Sequence, residues 1–451
     1  MSDDPTAAGA EKPNEGVIEA AVDQLLDELP TPTHAKRRFI VGLGRLGPGL
    51  ITGAADDDPS GIATYSQAGA QFGLDLLWPM LFTYPLMVAV QAICARIGRV
   101  TGRGLAYNLR QVFPRWAVVV LVLSLFVANT INIGADIAAM GASAQLLVGR
   151  GQMLFTMMFA AVSLLLQVLV PYRRYVKGLK WLTLVLFAYV LIAFTVKIDW
   201  TSVATHTVLP KLYGTSNWIT VIVAIFGTTI SPYLFFWQSS EEVEIMEVKD
   251  KPALTVAAPP AARHELQRIE IDTFIGMGMS NLIAFFIILT TAVTLHQHGV
   301  TDIQTSAQAA QALRPVVGSM AFVVFSLGLI GTGLLAVPVL AGSTAYAASE
   351  TFDWEKGLEK PFAEARGFYA VIIISMVIAV GVLFSPLDPI KALFWSAVIN
   401  GIIAVPILAA MMIVASRRDE MGVFVATPAQ RIFGWLATLV MAAASIGMFV
   451  L

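Results

Sequence analysis

The sequence predicts an all-α membrane protein with eleven transmembrane helices, on three observations. First, the chain has 451 residues, 57% of them hydrophobic and only 13% charged, and a mean hydropathy of +0.72. That composition lies outside the range of a soluble globular domain. Second, apolar stretches of roughly 17 residues or more, the length needed to cross a bilayer, recur eleven times. Third, two of these stretches, the first and the sixth, are interrupted by glycine and proline at corresponding places. Such matching breaks mark a chain built from two inverted units, here five spans each with an eleventh span added.

Taken in order, residues 1–45 form a polar, acidic tail. It lacks the apolar core of a signal peptide, so it is expected to be cytoplasmic. A short amphipathic helix is expected over Val17 to Leu29, ended by Pro30 and Pro32. The spans lie near 46–73, 76–95, 117–147, 152–171 and 182–198 in the first unit (46–198). The second unit (199–416) holds 217–240, 271–295, 316–349, 367–385 and 388–415, and the eleventh span, 432–451, lies within 417–451. The longest internal connection, 241–268, mixes Glu241, Glu242 and Glu244 with Pro252, Pro259 and Pro260, a composition expected of a flexible loop. The one cysteine, Cys94, falls in a span and excludes an intrachain disulfide; it is expected to pack as a small hydrophobe.

Basic residues test the orientation. With the N-terminus inside, only Arg150, Lys197, Lys211, Arg314 and Lys391 fall outside, and the other 24 of the 29 lysines and arginines fall inside. Because positive charge collects on the cytoplasmic side, the one-sidedness supports the span count, a cytoplasmic N-terminus and an external C-terminus. A bacterial plasma membrane is the expected location. The net charge of −2 averages over segregated loops and points to no nucleic acid.

The first interruption reads Gly53-Ala-Ala-Asp56-Asp57-Asp58-Pro59-Ser-Gly61. A carboxylate at the bilayer centre costs at least ~2.5–3.5 kcal/mol, so three would not persist on a continuous lipid-facing helix. They suit a broken helix whose carboxylates line a protein-walled cavity for a cation. Asp58, directly before the proline, is the first candidate ligand. Asp56 and Asp57 either ligate, line the approach path or cap the broken backbone. The sixth-span interruption, Gly227-Thr228-Thr229-Ile230-Ser231-Pro232-Tyr233, offers the hydroxyls of Thr228 and Ser231 together with freed carbonyls. These are oxygen donors without sulfur, which suits magnesium, calcium or manganese. Tyr233 either hydrogen-bonds in the pathway or packs as an ordinary aromatic.

Asn129, Asn132 and Asp136 share one face of the third span. A carboxylate there is a candidate proton carrier or second cation contact, and interhelical hydrogen bonding is the plainer alternative. Asn400 in the tenth span is an accessory candidate for the same cavity. Asn281 and Gln238 read as interhelical contacts, and the His296–His298 pair reads as a solvated loop rather than a metal site. No Walker motif, catalytic triad or dinucleotide glycine pattern is present, so neither an ATP-driven pump nor an enzyme is expected, and no bound cofactor is expected beyond a transported ion.

Several stretches resemble the natural resistance-associated macrophage protein (Nramp) family of divalent metal transporters, over nearly all spans from Leu46 to Leu451. Gly47-Pro-Gly-Leu-Ile, Asp58-Pro59 and Gln67-Ala-Gly-Ala-Gln-Phe-Gly73 are similar to the family's first span and its Asp-Pro-Gly-Asn motif. Ala95 to Ala106 is similar to its loop between spans two and three, and Gly227 to Ser239 matches the position of its sixth-span motif. The resemblance implies a leucine-transporter-like (APC-type) fold of two inverted five-helix repeats, with metal bound between spans one and six. The departures are specific. The family's first-span asparagine ligand falls on Gly61, its sixth-span methionine on Ser231 and its histidine on Tyr233. Its third-span Asp-x-x-Glu becomes Asp136-Ile-Ala-Ala139, so only the aspartate carries over for any coupled proton.

The expected function is therefore secondary transport of a divalent metal ion by alternating access. Fewer protein ligands leave room for an ion that keeps some of its water, which favours hard ions such as Mg²⁺ or Mn²⁺. Asp58 is the principal ligand, with Ser231, Thr228, Asp57 and Asp56 completing the set. Asp136, Tyr233, Asn400 and Asn132 are the proton-pathway or accessory residues. The alternatives are a cation-coupled symporter of a small organic solute such as an amino acid, which the acidic triplet disfavours, and a non-transporting membrane sensor, which would need an output domain.

Overall fold

The computed structural model describes residues 52–451, apart from 54, 180–181, 249–252, 255–258 and 383–387. The expected tail helix over 17–29 and the start of the first span lie outside the described residues. Among the described residues the chain is all helical, with no strand, and eight helices are long and apolar enough to cross a membrane.

The two interruptions are where the sequence places them. In the first span, residues 55 and 56 are helical, Asp57 and Asp58 are not, and a second half-helix runs Pro59–Phe72. Proline at the first helical position has no amide hydrogen to leave unpaired, so it starts this half without penalty. In the sixth span, Ser216–Thr229 ends at Ile230, and Pro232–Val248 begins after Ser231.

Whole helices occupy most of the remaining positions. They are Trp78–Thr101 (second span), Arg115–Val148 (third), Gln152–Leu169 (fourth), Pro259–Thr294 (seventh), Ala321–Phe352 (eighth), Arg366–Val382 (ninth), Pro389–Ser416 (tenth) and Pro428–Val450 (eleventh). The third span packs against the eighth and the tenth, and the seventh runs along the second half of the first. Glycines set the closest approaches. A Cβ on Gly53 would lie 2.3 Å from the Gly276 carbonyl oxygen, and one on Gly69 would lie 2.2 Å from that of Ile288. Both halves of the first span are therefore pressed against the seventh.

Two expectations need correction. The fifth span is not one uninterrupted helix over 182–198: a 3-10 turn, Leu182–Leu186, leads into a six-residue helix, Phe187–Ile192. The turn lies against the eighth span, where a Cβ on Gly331 would sit 2.4 Å from Leu182 Cβ, so the glycine lets the two backbones approach closely. The connection 241–268 is not a loop through its length either. The sixth span continues to Val248 and the seventh begins at Pro259, with Glu241, Glu242 and Glu244 buried.

Those glutamates are buried because their partners come from elsewhere in the chain. Arg268 Nη2 lies 3.0 Å from Glu242 Oε2, and Glu244 accepts from the Tyr346 hydroxyl and from the Leu358 amide at 2.8 Å. Buried Glu350 accepts from the amides of Ala106 (3.1 Å) and Tyr107 (3.3 Å), from Ser240 Oγ (3.1 Å) and from Lys356 Nζ (2.6 Å). This end of the bundle is tightly held together. At the other end a cavity of about 520 Å³ opens, lined by Gln67, Gln71, Asn217, Asp302, Lys391 and Trp395, among others.

Cys94 is fully buried, with its sulfur 3.1 Å from Met411 Sδ, as a packed hydrophobe should be. Asn281 bonds the Met80 carbonyl and Gln238 accepts from Thr52, each an interhelical contact. His296 Nδ1 meets the Ala70 carbonyl at 2.8 Å and His298 is exposed.

Candidate metal site at two facing helix breaks

The two breaks are joined by hydroxyls. Tyr233, the first residue after the sixth-span proline, donates its hydroxyl to the Ala55 carbonyl at 3.1 Å. That carbonyl belongs to the last turn of the first half-helix, where no intrahelical donor remains. Thr228 Oγ1 lies 3.0 Å from the Tyr65 hydroxyl and 2.9 Å from the Ile225 carbonyl. Ser231 turns back on its own helix, 2.7 Å from the Gly227 carbonyl and 2.8 Å from that of Thr228. Its proton thus serves the broken backbone, while its lone pairs remain.

The three aspartates are all buried, yet they diverge. Asp58 caps the second half-helix, with Oδ1 accepting from the Gly61 amide at 2.7 Å and Ser60 Oγ within 2.7 and 2.9 Å of its two oxygens. Its fourth contact comes from another helix: Asn132 Nδ2 donates to Asp58 Oδ2 at 3.0 Å. Asp56 and Asp57 instead face the seventh span, where Ser280 Oγ lies 2.6 Å from Asp56 Oδ2 and 3.0 Å from Asp57 Oδ1. Capping, which the sequence left open for Asp56 and Asp57, is done by Asp58. Accordingly, among the described residues no three His, Cys, Asp or Glu side chains converge as a ready-made metal cluster.

The third-span stripe divides in the same manner. Asn129 turns to the eighth span, donating toward Leu340 O, Ser343 Oγ and Thr344 Oγ1. Asn132 turns to Asp58, and its own Oδ1 accepts from Ser396 Oγ of the tenth span at 2.7 Å. Asp136, one turn further on, is fully buried with no hydrogen-bond partner at either oxygen, and the Asn400 Oδ1 is likewise unpartnered. Buried acceptors without partners are uncommon and costly. Ala139 is buried in the core, so no carboxylate stands there.

The match to known proteins decides the family. Residues 49–451 fit the family described as natural resistance-associated macrophage protein-like (Nramp). The chain belongs to this family. It is an integral, multi-pass membrane protein. Among similar Nramp relatives is the divalent metal cation transporter MntH of Verminephrobacter eiseniae, 28% identical over 394 residues, which span 84% of this chain and 82% of that one. The MntH of Deinococcus radiodurans is 26% identical over 412 residues, 88% of this chain and 87% of the relative. A crystal structure of the Eremococcus coleocola manganese transporter superposes with a TM-score of 0.73 at 16% identity, covering 93% of this chain and 88% of that one. That likeness shows a shared overall fold.

Three site residues are not evident from sequence. Tyr65 sits seven residues beyond Asp58, two turns along the same helix face, and the spacing alone could have suggested it. A Cβ on Gly61 would lie 3.3 Å from the Tyr65 ring and 3.4 Å from Asp58 Oδ1, so the tyrosine fills the space that a larger residue at 61 would take. Ser280 and Ser396 are lone serines in apolar spans, and no local signal distinguishes them from ordinary helix-packing serines.

Proposed function

We propose that this Nramp-family chain carries a divalent metal cation across the membrane as a secondary transporter. The observation that carries the reading is the buried Asp58 carboxylate at the first-span break, set beside a sixth-span break to which Tyr233 and Thr228 tie it. A charge buried midway through lipid is costly unless an ion or a dedicated donor set meets it. The MntH relatives and the manganese transporter are named for that cargo.

The ion is hard, Mg²⁺ or Mn²⁺ rather than cadmium. Asp58, Ser231, Thr228, Asp57 and Asp56 offer only oxygen, and an oxygen-only set gives soft metals no advantage. Transport proceeds by alternating access. The cavity at the Lys391 end, together with the closed end held by Glu242–Arg268 and Glu350, supports a state open to one side. Asp136 carries any coupled proton, with Asn400 and Tyr233 accessory in the pathway. The N-terminus lies in the cytoplasm, the C-terminus outside, and the membrane is a bacterial plasma membrane.

The test is a panel of metals presented to reconstituted vesicles, with internal pH followed in parallel. Uptake of manganese or magnesium in preference to cadmium is the expected result; strong cadmium preference over both would overturn the hard-ion reading.

A further inference from the structure

We propose that Asn132 is itself a ligand of the transported ion, supplying a side-chain amide oxygen from the third span. The inference rests on the assignment of Asp58 as the principal ligand.

Asp58 meets three donors, which fill most of the roughly four lone-pair sites of a carboxylate. Its oxygens take the Gly61 amide, Ser60 Oγ and Asn132 Nδ2. A cation on the carboxylate repels the donor hydrogens beside it, so the donor most easily turned away is the one that gives ground. The Gly61 amide and Ser60 hydroxyl belong to Asp58's own half-helix, so losing them would weaken the cap of its first turn. Asn132 is the only one of the three that arrives from another element. The ion therefore enters where the Asn132 amide hydrogen now points.

An amide that loses that acceptor can turn by half a rotation about its last side-chain bond, exchanging NH₂ for oxygen. The surroundings allow it. Ser396 Oγ lies 2.7 Å from Asn132 Oδ1 and also 2.7 Å from the Leu393 carbonyl. Its single proton serves one of them at a time. With Asn132 as described, Ser396 donates to the amide oxygen. With Asn132 turned, Ser396 donates to Leu393 and accepts from the amide NH₂. Both orientations leave every polar atom of the pair satisfied, and the turned one aims a carbonyl oxygen at an ion on Asp58 Oδ2. Asn132 is fully buried, so both ends of its amide face protein groups. Asp136, one turn along the same face with both oxygens unpartnered, adds a second acceptor on that side. The chemistry selects a hard divalent cation that accepts a neutral amide oxygen beside a carboxylate.

The experiment replaces the oxygen with sulfur in the full-length protein in proteoliposomes, using manganese and cadmium as probes. Asn132→Cys and Asn132→Met both place a soft donor at the position, and two variants are made so that poor folding of one leaves the other readable. If Asn132 touches the ion, the cadmium-to-manganese uptake ratio rises on the order of tenfold, because thiolate and thioether ligands favour the softer metal. Asn132→Ala lowers uptake of both metals without raising the ratio. A folded, transporting sulfur variant whose ratio equals that of the unmodified protein overturns the proposal, for a residue that only positioned Asp58 would not alter metal choice. Asp58→Ala run alongside separates the two readings. Abolished uptake there with an unchanged ratio at Asn132 removes only the new ligand, while unchanged uptake removes the Asp58 site and this inference with it.

Discussion

Ser280 stands between Asp56 and Asp57, with its single hydroxyl 2.6 Å from one carboxylate and 3.0 Å from the other. One proton serves two acceptors, and Asp56 Oδ1, the carboxylate's other oxygen, has no hydrogen-bond partner. Removing the hydroxyl leaves two buried, adjacent carboxylates without their shared donor. Hydrogen bonds to charged groups contribute about 1.5–3 kcal/mol, and a buried acceptor left unpaired costs a similar amount. Ser280→Ala should therefore lower the melting temperature in detergent by several degrees, whereas Ser280→Thr, which keeps the hydroxyl, should stay close to the unmodified protein. Equal melting of all three would show that Ser280 is ordinary packing.

Gly104 has the tightest approach to a charged group. A Cβ there would lie 1.8 Å from Glu350 Oε1, and Glu350 is fastened by two amides, Ser240 and Lys356, so it has little freedom to retreat. Overpacking of this kind typically costs ~1–3 kcal/mol. Gly104→Ala should destabilise the protein by about that amount in thermal unfolding, and Gly104→Ala combined with Glu350→Ala should cost less than the two separate losses added together. Strict additivity would separate the two positions.

The first and sixth breaks were legible because proline, glycine and charge are all local signals. The buried acidic segment was not. Glu241, Glu242 and Glu244 read locally as a charged loop, but Glu242 and Glu244 are met in the interior by Arg268, Tyr346 and the Leu358 amide, partners 26, 102 and 114 positions away. The same limit applies within the aspartate triplet. Residue type and spacing placed all three in the first-span break, but Asn132 and Ser280 decide which carboxylate faces which helix, and those contacts depend on how spans three and seven pack. The fifth span likewise packs closely on Gly331 of the eighth, a partner outside the segment.

Asp75 joins the corner between spans one and two to the segment before span six. It accepts from the Tyr213 hydroxyl at 2.5 Å and Lys211 Nζ at 2.9 Å, with His206 Nε2 at 3.2 Å. Partial burial opposes ionisation, but the hydrogen bonds from Tyr213 and Lys211 and the neighbouring positive charge outweigh it and hold the carboxyl below its usual range. A group depressed in the folded state stabilises fully above its unfolded value of about 3.9 and loses that contribution as the pH falls through the folded value. The melting difference between the unmodified protein and Asp75→Asn should thus shrink as the pH falls below about 4. A difference that does not change with pH would remove Asp75 as an anchor.

The most direct measurement is calorimetric titration of manganese into purified Asp58→Ala beside the unmodified protein, with folding checked by monodispersity and melting. The expected result is saturable binding to the unmodified protein and none to the folded variant. Unchanged manganese affinity in Asp58→Ala would contradict a metal site built on the first-span break.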